Sequence, residues 1–230
     1  MQSSNPLISV VIPAFNEQAN IAQVLAQTES ALDSLNLPYE VIVVDDGSSD
    51  NTKRYASNNG AKLISYSVNR GKGYAMRVGL AKAKGQLLVT IDADGSFKPD
   101  EIPRMLKPLF NGIDVVIGSR FLSNNGDVTS KLHIVGNFLF NTLIMVLTQK
   151  RITDSQTGFR AFKRKVLKKL TLFSEGFEIE TELTIKTLQN GFKIHEEPVS
   201  CSKRRNGRSK VNTLSDGFSI LKTIFKASFI

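Results

Sequence analysis

Residues 87–94 read Leu-Leu-Val-Thr-Ile-Asp-Ala-Asp, an apolar run that stops abruptly on two aspartates one residue apart. On an extended chain, side chains two apart point the same way, so Asp92 and Asp94 face one spot just past a strand's carboxyl end. An open α/β sheet keeps its ligands at that edge. Two converging carboxylates repel each other unless a cation lies between them. Mg2+ or Mn2+ suits such a place, since these hard ions take one or two carboxylates together with substrate phosphates. For an isolated D-x-D, a solvated turn whose aspartates cap the next helix is an equal alternative, so the neighbouring segments have to decide.

Upstream, residues 8–12 and 39–44 are β-branched runs separated by a helical pattern carrying Ile21, Val24, Leu25, Leu32 and Leu35. The second run ends in the polar turn 45–50, whose Asp50 can cap a short helix. A third strand is expected over 62–68, a helix over 74–83, and a fourth strand over 87–91. A helix opened by Pro99 over 99–110 and a fifth strand over 115–118 follow. Strands alternating with helices, without hairpins, predict an α/β domain with a Rossmann-like, mostly parallel (mixed) sheet covered on both faces. Beyond Arg120 the expected elements are a long apolar helix (132–148), a loop and strand (153–162), helices at 166–170 and 179–189, and a strand at 193–199. A basic stretch (203–210) and an amphipathic helix (214–230) close the chain.

The length suits one domain with a full core. We expect a nucleotide-sugar half over 1–120, an acceptor half over 121–213 and the final helix over 214–230. A single cysteine, Cys201, excludes an internal disulfide, and with only His133 and His195 beside it a structural zinc site is not expected. Residues 8–12 are too short for a signal peptide and no stretch reaches the roughly 20 apolar residues of a membrane span. Thirty Lys and Arg against 21 Asp and Glu give a net charge of +9, which favours an anionic partner such as a phosphate ester, nucleic acid or acidic lipid.

Two further segments end successive strands beside the same crevice: Pro13-Ala14-Phe15-Asn16-Glu17 and Asp45-Asp46-Gly47-Ser48. Turn chemistry explains either alone, but not three acidic strand ends together. Gly71-Lys72-Gly73 at a helix start resembles a phosphate cradle without matching either full glycine-rich motif. Its glycines fit a plain strand-to-helix turn equally, with Lys72 or Arg70 on a phosphate as the functional reading. The basic stretch 203–210 carries no aromatic residue for base stacking, favouring phosphate or a lipid headgroup over nucleic acid. Glu178, Glu180 and Glu182 bracket a helix amino end, which favours acidic side chains in any case.

Val-Val-Ile-Pro-Ala-Phe-Asn-Glu (10–17), Val-Val-Asp-Asp-Gly-Ser (43–48), Asp92-Ala93-Asp94, Gly118-Ser119-Arg120, Asp154 with Gly158-Phe159-Arg160, and Arg204 with Gly207, Ser209 and Lys210 follow one another in order. In this the chain resembles the family 2 glycosyltransferases, within them the dolichyl-phosphate mannose synthases and similar polyprenyl-phosphate glucosyltransferases. The resemblance implies a GT-A fold, a nucleotide diphosphate sugar donor, Mg2+ or Mn2+, and inverting transfer to a lipid phosphate. By it, Pro13, Ala14, Asn16, Glu17, Asp45 and Asp46 line the nucleoside pocket. Asp92, Ala93 and Asp94 surround ribose, diphosphate and metal; Lys72 is placed with the donor by its glycine-flanked segment, not by the resemblance.

Arg120 meets the donor sugar or acceptor phosphate, Asp154 lies in the reaction centre, and Arg204, Ser209 and Lys210 close over the phosphates. Where mannose synthases of this branch often carry Leu-Gln after the second aspartate, this chain has Gly95-Ser96. Ser96 is thus a weak third metal ligand, and the change leans towards the glucosyltransferases. The expected partners are the nucleotide sugar, a polyprenyl phosphate and a membrane surface, with a membrane-anchoring partner as a further option and no nucleic acid. The expected location is peripheral, on a membrane's cytoplasmic face. A saccharide hydroxyl acceptor, or a non-catalytic nucleotide-binding module, are the alternatives left open.

Overall fold

The computed structural model describes residues 6–122, 131–204, 206 and 213–228, with backbone only for 131–133, 213 and 214. Its centre is a seven-stranded sheet in the order β3-β2-β1-β4-β6-β5-β7. The strands are β1 (Ile8–Ala14), β2 (Tyr39–Asp46), β3 (Lys62–Tyr66), β4 (Leu87–Thr90), β5 (Val115–Ser119), β6 (Arg160–Lys163) and β7 (Ile194–Pro198). β1 pairs in parallel with β2 and β4, β2 with β3, and β5 with β7. Only β6 runs against its neighbours, β4 and β5. The sheet is therefore mostly parallel and mixed, as the alternation of strands and helices predicts. β1 is buried along its whole length, the burial expected of a central parallel strand with both faces covered.

The helices are α1 (Ile21–Asp33), α2 (Thr52–Asn58), α3 (Lys72–Lys82), α4 (Ile102–Phe110), α5 (Lys131–Thr148), α6 (Arg164–Lys169), α7 (Ile179–Gln189) and α8 (Thr213–Ser228). One face of the sheet carries a core that includes Val10, Ile12, Leu25, Val43 and Met105, and the other a core that includes Val11, Ile42, Met76, Ile117 and Leu183. Ile144, Ile185, Ile220, Ile224 and Ala227 form a third cluster, where α5 and α8 pack over α7. Every residue of α7 from Ile179 to Thr187 is consequently buried, including two glutamates that sequence reasoning assigned to ordinary helix-end chemistry.

Several boundaries move. β3 stops at Tyr66 and α3 starts at Lys72, two residues before the expected 74, because the Asp46 carboxylate accepts from the Arg70 and Gly71 amides at 2.8 Å each and folds the chain into the helix there. The residues expected as a helix over 99–110 begin with one 3-10 turn, Pro99–Glu101. The strand expected within 153–162 is only Arg160–Lys163, preceded by a loop. The final helix keeps Phe218 and Phe225 outside, but turns Ile220 and Ile224 inward against α5 and α7 rather than against the sheet.

Candidate active site

A cavity of about 570 Å³ opens at the carboxyl ends of β1, β2 and β4. β6, being antiparallel, brings its amino end, with Gly158 just before it, to the same rim. Pro13, Ala14, Glu17, Asp46, Lys72, Asp92, Ala93, Asp94, Ser96, Arg120 and Arg204 all line this space, so most of the residues singled out by sequence meet in one place. Asn16 and Asp45 do not. The Asn16 side-chain oxygen accepts from the Ser49 amide at 2.8 Å while the Asn16 backbone N–H donates to Ser48 Oγ at 2.8 Å. Asp45 accepts from Ser65 Oγ at 2.9 Å and from the Ser48 amide at 3.3 Å. Both hold turns together, and the reason for Asp45 is the strand's alternation: with Asp46 turned to the cavity, its neighbour points away. Ser209 and Lys210 lie outside the described residues.

The two aspartates after β4 have different surroundings. Asp94 folds one oxygen back onto the Ser96 amide at 2.9 Å, in a turn that Gly95 makes with φ +72°, a conformation glycine adopts without steric cost. Its other oxygen lies 3.7 Å from an Arg204 guanidinium nitrogen. Asp92 is gripped instead. Lys72 Nζ sits 2.7 Å from Asp92 Oδ1 and 2.8 Å from Oε1 of Glu180, a fully buried residue. Burial alone would lower the Lys72 pKa, yet the two carboxylates overcome it and hold the ammonium above the ordinary lysine value. Burial pushes the Glu180 carboxyl up, with Lys72 opposing.

Arg204 reaches the cavity because its segment is laid along the turn after β4. Phe97 and Cys201 form an isolated antiparallel bridge, and the Ser202 amide donates to the Ser96 carbonyl at 2.8 Å. From there the guanidinium pairs with Glu17 and approaches Asp94. Glu17 also accepts from Asn20 Nδ2 at 2.9 Å. Asp46 has no comparable freedom, because Asn69 Nδ2 and the amides of Arg70 and Gly71 all bind its carboxylate at 2.8 Å.

Gly71 and Gly73 are explained by packing. A Cβ on Gly71 would lie 2.4 Å from the Glu175 carbonyl oxygen, and one on Gly73 would meet the backbone of 174–176 at 2.8 Å. The glycines admit a neighbouring loop, and Lys72 sits between carboxylates.

On another part of the rim, Arg120 is fixed by Asp154. Nε lies 2.7 Å from Oδ2 and Nη2 2.8 Å from Oδ1, and the Arg120 amide donates to Oδ2 at 3.1 Å. Burial works against the guanidinium charge, and Asp154 more than compensates, raising its pKa. Asp154 is fully buried and does not line the cavity. Its loop is braced by Glu196, which accepts from the Thr153 amide at 2.9 Å and the Asp154 amide at 3.1 Å. Arg160, also fully buried, donates to the carbonyls of Ser155 and Thr157 at 2.7 and 2.9 Å. Its pKa is lowered by burial to about 10, which leaves it charged at neutral pH.

Glu180 and Glu196 are site-supporting residues, and Gln156 a cavity-lining one, that the sequence did not single out for these roles.

The donor set can be tested against a divalent ion. Among the described residues no group of three or more His, Cys, Asp or Glu side chains could hold a metal alone. Asp94 offers a carboxylate oxygen into the cavity, and Asp92 has its second oxygen beyond the Lys72 grip, an all-oxygen set that suits a hard ion completed by phosphates. Ser96 lines the cavity near them.

The glycosyl transferase family 2 model matches residues 9–171. The chain is 31% identical to a dolichol-phosphate mannosyltransferase of Pyrococcus furiosus, over 89% of this chain and 59% of that protein. It is 30% identical to a dolichyl-phosphate beta-glucosyltransferase of Saccharomyces cerevisiae, over 84% of this chain and 66% of that one. The chain thus spans about three fifths to two thirds of the length of these two relatives. Among solved structures, glucosyl-3-phosphoglycerate synthase from Mycobacterium tuberculosis, in complex with Mn2+, uridine diphosphate and phosphoglyceric acid, superposes with a TM-score of 0.79 at 27% identity, covering 98% of this chain and 79% of that one. The architecture is that of the GT-A fold, and the chain belongs to glycosyl transferase family 2.

Proposed function

We propose that the protein moves a hexose from a nucleotide diphosphate sugar, UDP-glucose or GDP-mannose, to the phosphate of a polyprenyl or dolichyl phosphate at the cytoplasmic face of a membrane, with inversion at the anomeric carbon. The observation that carries this reading is the state of the cavity's carboxylates. Glu17 is paired with Arg204, Asp46 is saturated by the 69–71 segment, Asp92 is held by Lys72, and Asp94 binds the Ser96 amide. No histidine lines the space among the described residues. A sugar hydroxyl acceptor needs a base to take its proton, and the oxygens that Asp92 and Asp94 leave open lie where the donor's divalent ion would bind.

A phosphate monoester, with its second pKa near 6, arrives largely as a dianion and needs cations to position it. Arg120 supplies a fork-shaped guanidinium for that purpose, and Arg204 another near the diphosphate. Pro13, Ala14 and Glu17 take the nucleoside end, while Asp92 and Ala93 meet the ribose. Asp94, with Asp92 and Ser96 beside it, would hold Mg2+ or Mn2+. When bound, that ion stabilises the negative charge of the departing diphosphate. Asp154 keeps Arg120 in place and is a positioning residue.

The membrane part of the proposal draws support from α5. Val135, Phe138, Leu139 and Val146 are exposed along it, and Phe218 and Phe225 are exposed on α8. No helix among the described residues is long and apolar enough to cross a membrane; an apolar helix face of this kind can lie in the interface plane. Asn141 of α5 donates to the Thr153 carbonyl at 2.7 Å and accepts from the Ser155 amide at 3.2 Å, so the exposed stripe is tied to the loop that carries Asp154.

A second reading drops the lipid for a soluble phosphate-bearing acceptor whose C2 hydroxyl, not its phosphate, would attack, favoured by the likeness to a synthase crystallised with phosphoglyceric acid. Incubating the protein and Mn2+ with radiolabelled UDP- and GDP-sugars, each with polyprenyl phosphate, 3-phosphoglycerate or a saccharide, separates the readings. Label appearing only in the lipid phase supports the proposal. Label on 3-phosphoglycerate supports the second reading, and label on a saccharide alone overturns both.

A further inference from the structure

Lys72 lines the cavity but its ammonium is spent on two carboxylates, one of which, Glu180, is 1% exposed and does not line the cavity at all. The ammonium ties three elements together: the first residue of α3, the first turn of α7 and the segment just after β4. On the other side of the Asp92 carboxylate lies Gly158, where a Cβ would fall 2.5 and 2.6 Å from its two oxygens. Asp92 is therefore held between a cation and bare backbone.

The charges matter as much as the geometry. With Glu180 ionised, the form that its 2.8 Å contact with the Lys72 ammonium favours, one ammonium between two carboxylates leaves the trio with a net charge of −1. If Glu180 were absent, Lys72 would be left to Asp92 alone, and their charges would cancel at the point where a cation and a ribose are to bind. We infer that Glu180 is a positioning residue for donor binding: by sharing Lys72 it lets Asp92 be pinned in place and still present negative charge to the divalent cation of a nucleotide diphosphate. This rests on the reading of Asp92 and Asp94 as the donor-side carboxylates. It also separates Lys72 from direct phosphate contact, the role its flanking glycines suggest.

Calorimetric titration of the full chain with Mn2+ and with UDP or GDP, alongside thermal melts, tests the assignment. Glu180→Gln is expected to fold and to bind the Mn2+–nucleotide roughly tenfold more weakly, a size typical of coupling between neighbouring charged residues. Nucleotide binding without Mn2+ should change less. Lys72→Met/Glu180→Gln should bind the Mn2+–nucleotide more tightly than Glu180→Gln alone, because removing the ammonium uncovers the Asp92 charge. A folded Glu180→Gln that binds within twofold of the parent overturns the inference. So does a double variant weaker than Glu180→Gln, which would place Lys72 on phosphate, or a Glu180→Gln that fails to fold, which would make the role structural. If the parent chain binds neither nucleotide with Mn2+, the donor-site reading itself falls and takes this inference with it.

Discussion

The fully buried Asp154 carboxylate meets the Arg120 guanidinium side-on, with nitrogen–oxygen distances of 2.7 and 2.8 Å. This is the two-pronged geometry in which arginine and carboxylate bind most specifically. It leaves the carboxylate facing its arginine and not the cavity, so the pair can orient a phosphate but offers no open proton acceptor.

Asp154→Asn should therefore lower stability without abolishing transfer. Losing one partner of a buried pair costs about 3 kcal/mol or more, so the melting temperature should drop, while below it measurable turnover persists with a pH dependence that follows the acceptor phosphate. Arg120→Ala should fall by on the order of 10²-fold, the scale of one preorganised charge contact. Steady-state rates with polyprenyl phosphate from pH 5 to 9 check both. An Asp154→Asn protein that is folded and inactive at every pH would mean that Asp154 works as a base.

Asp94 lends itself to a metal test. Its cavity-facing oxygen lies 3.7 Å from Arg204, so Asp94→Ala should remove the metal-dependent part of nucleotide binding while the turn through Gly95 and the bridge from Phe97 to Cys201 keep the fold. Calorimetry with and without Mn2+ measures this. Parent turnover that is undiminished by a strong chelator would speak against the divalent ion.

How far the sequence reached is clearest from particular residues. The alternation of apolar runs and helical patterns was enough for the α/β sheet, because β1, β4 and most of β2 are buried and carry a largely apolar signal. The place of β6 between β4 and β5 was not legible, since it is four residues long and its antiparallel pairing is set by distant partners. Asp92 and Asp94 are picked out by strand alternation, although β4 ends at Thr90 and it is a turn, with Gly95 at φ +72°, that brings Asp94 to the cavity. The same rule, applied to Asp45 and Asp46, would have kept only one of the two in the site. Lys72 and Glu180 are 108 positions apart along the chain, and only the fold brings the amino ends of α3 and α7 together at this ion pair; each alone looks like routine chemistry at a helix start.

Cys201 gives a pH-dependent prediction. Burial first, and the nearby aspartates after it, push its thiol up to about 11, with Arg120 opposing. Thiolate is the reactive form, so iodoacetamide should label Cys201 slowly at pH 8 and progressively faster towards pH 11. Because the folded-state value lies above the ordinary thiol value, the contribution to stability is intact below about pH 9 and is lost as pH rises through about 11. Since Cys201 lines the cavity, Mn2+ with bound nucleotide should slow the labelling further. Mass spectrometry of timed aliquots reads the rates, and fast labelling at pH 7 would contradict the burial argument.

The last prediction concerns α5. Its exposed side chains recur at three-, four- and seven-residue spacings, Val135, Phe138, Leu139 and Val146 with Met145 beside them, which places them along one side of the helix. The inward side is occupied by Ile144 in the cluster with α7 and α8, so the outer stripe has no packing role within the described residues. Charges placed there should consequently leave the fold intact and act only on what the stripe touches. Val135→Asp/Phe138→Asp should melt within a few degrees of the parent, yet lose most co-sedimentation with vesicles containing anionic lipid. Turnover should fall with long-chain polyprenyl phosphate in vesicles and stay near the parent value with a short-chain acceptor in solution, because Arg120 and the donor side are untouched. Equal losses on both acceptors would mean that the substitutions disturb the loop held by Asn141. Unchanged co-sedimentation would remove α5 from the membrane reading and leave the soluble phosphate acceptor in its place.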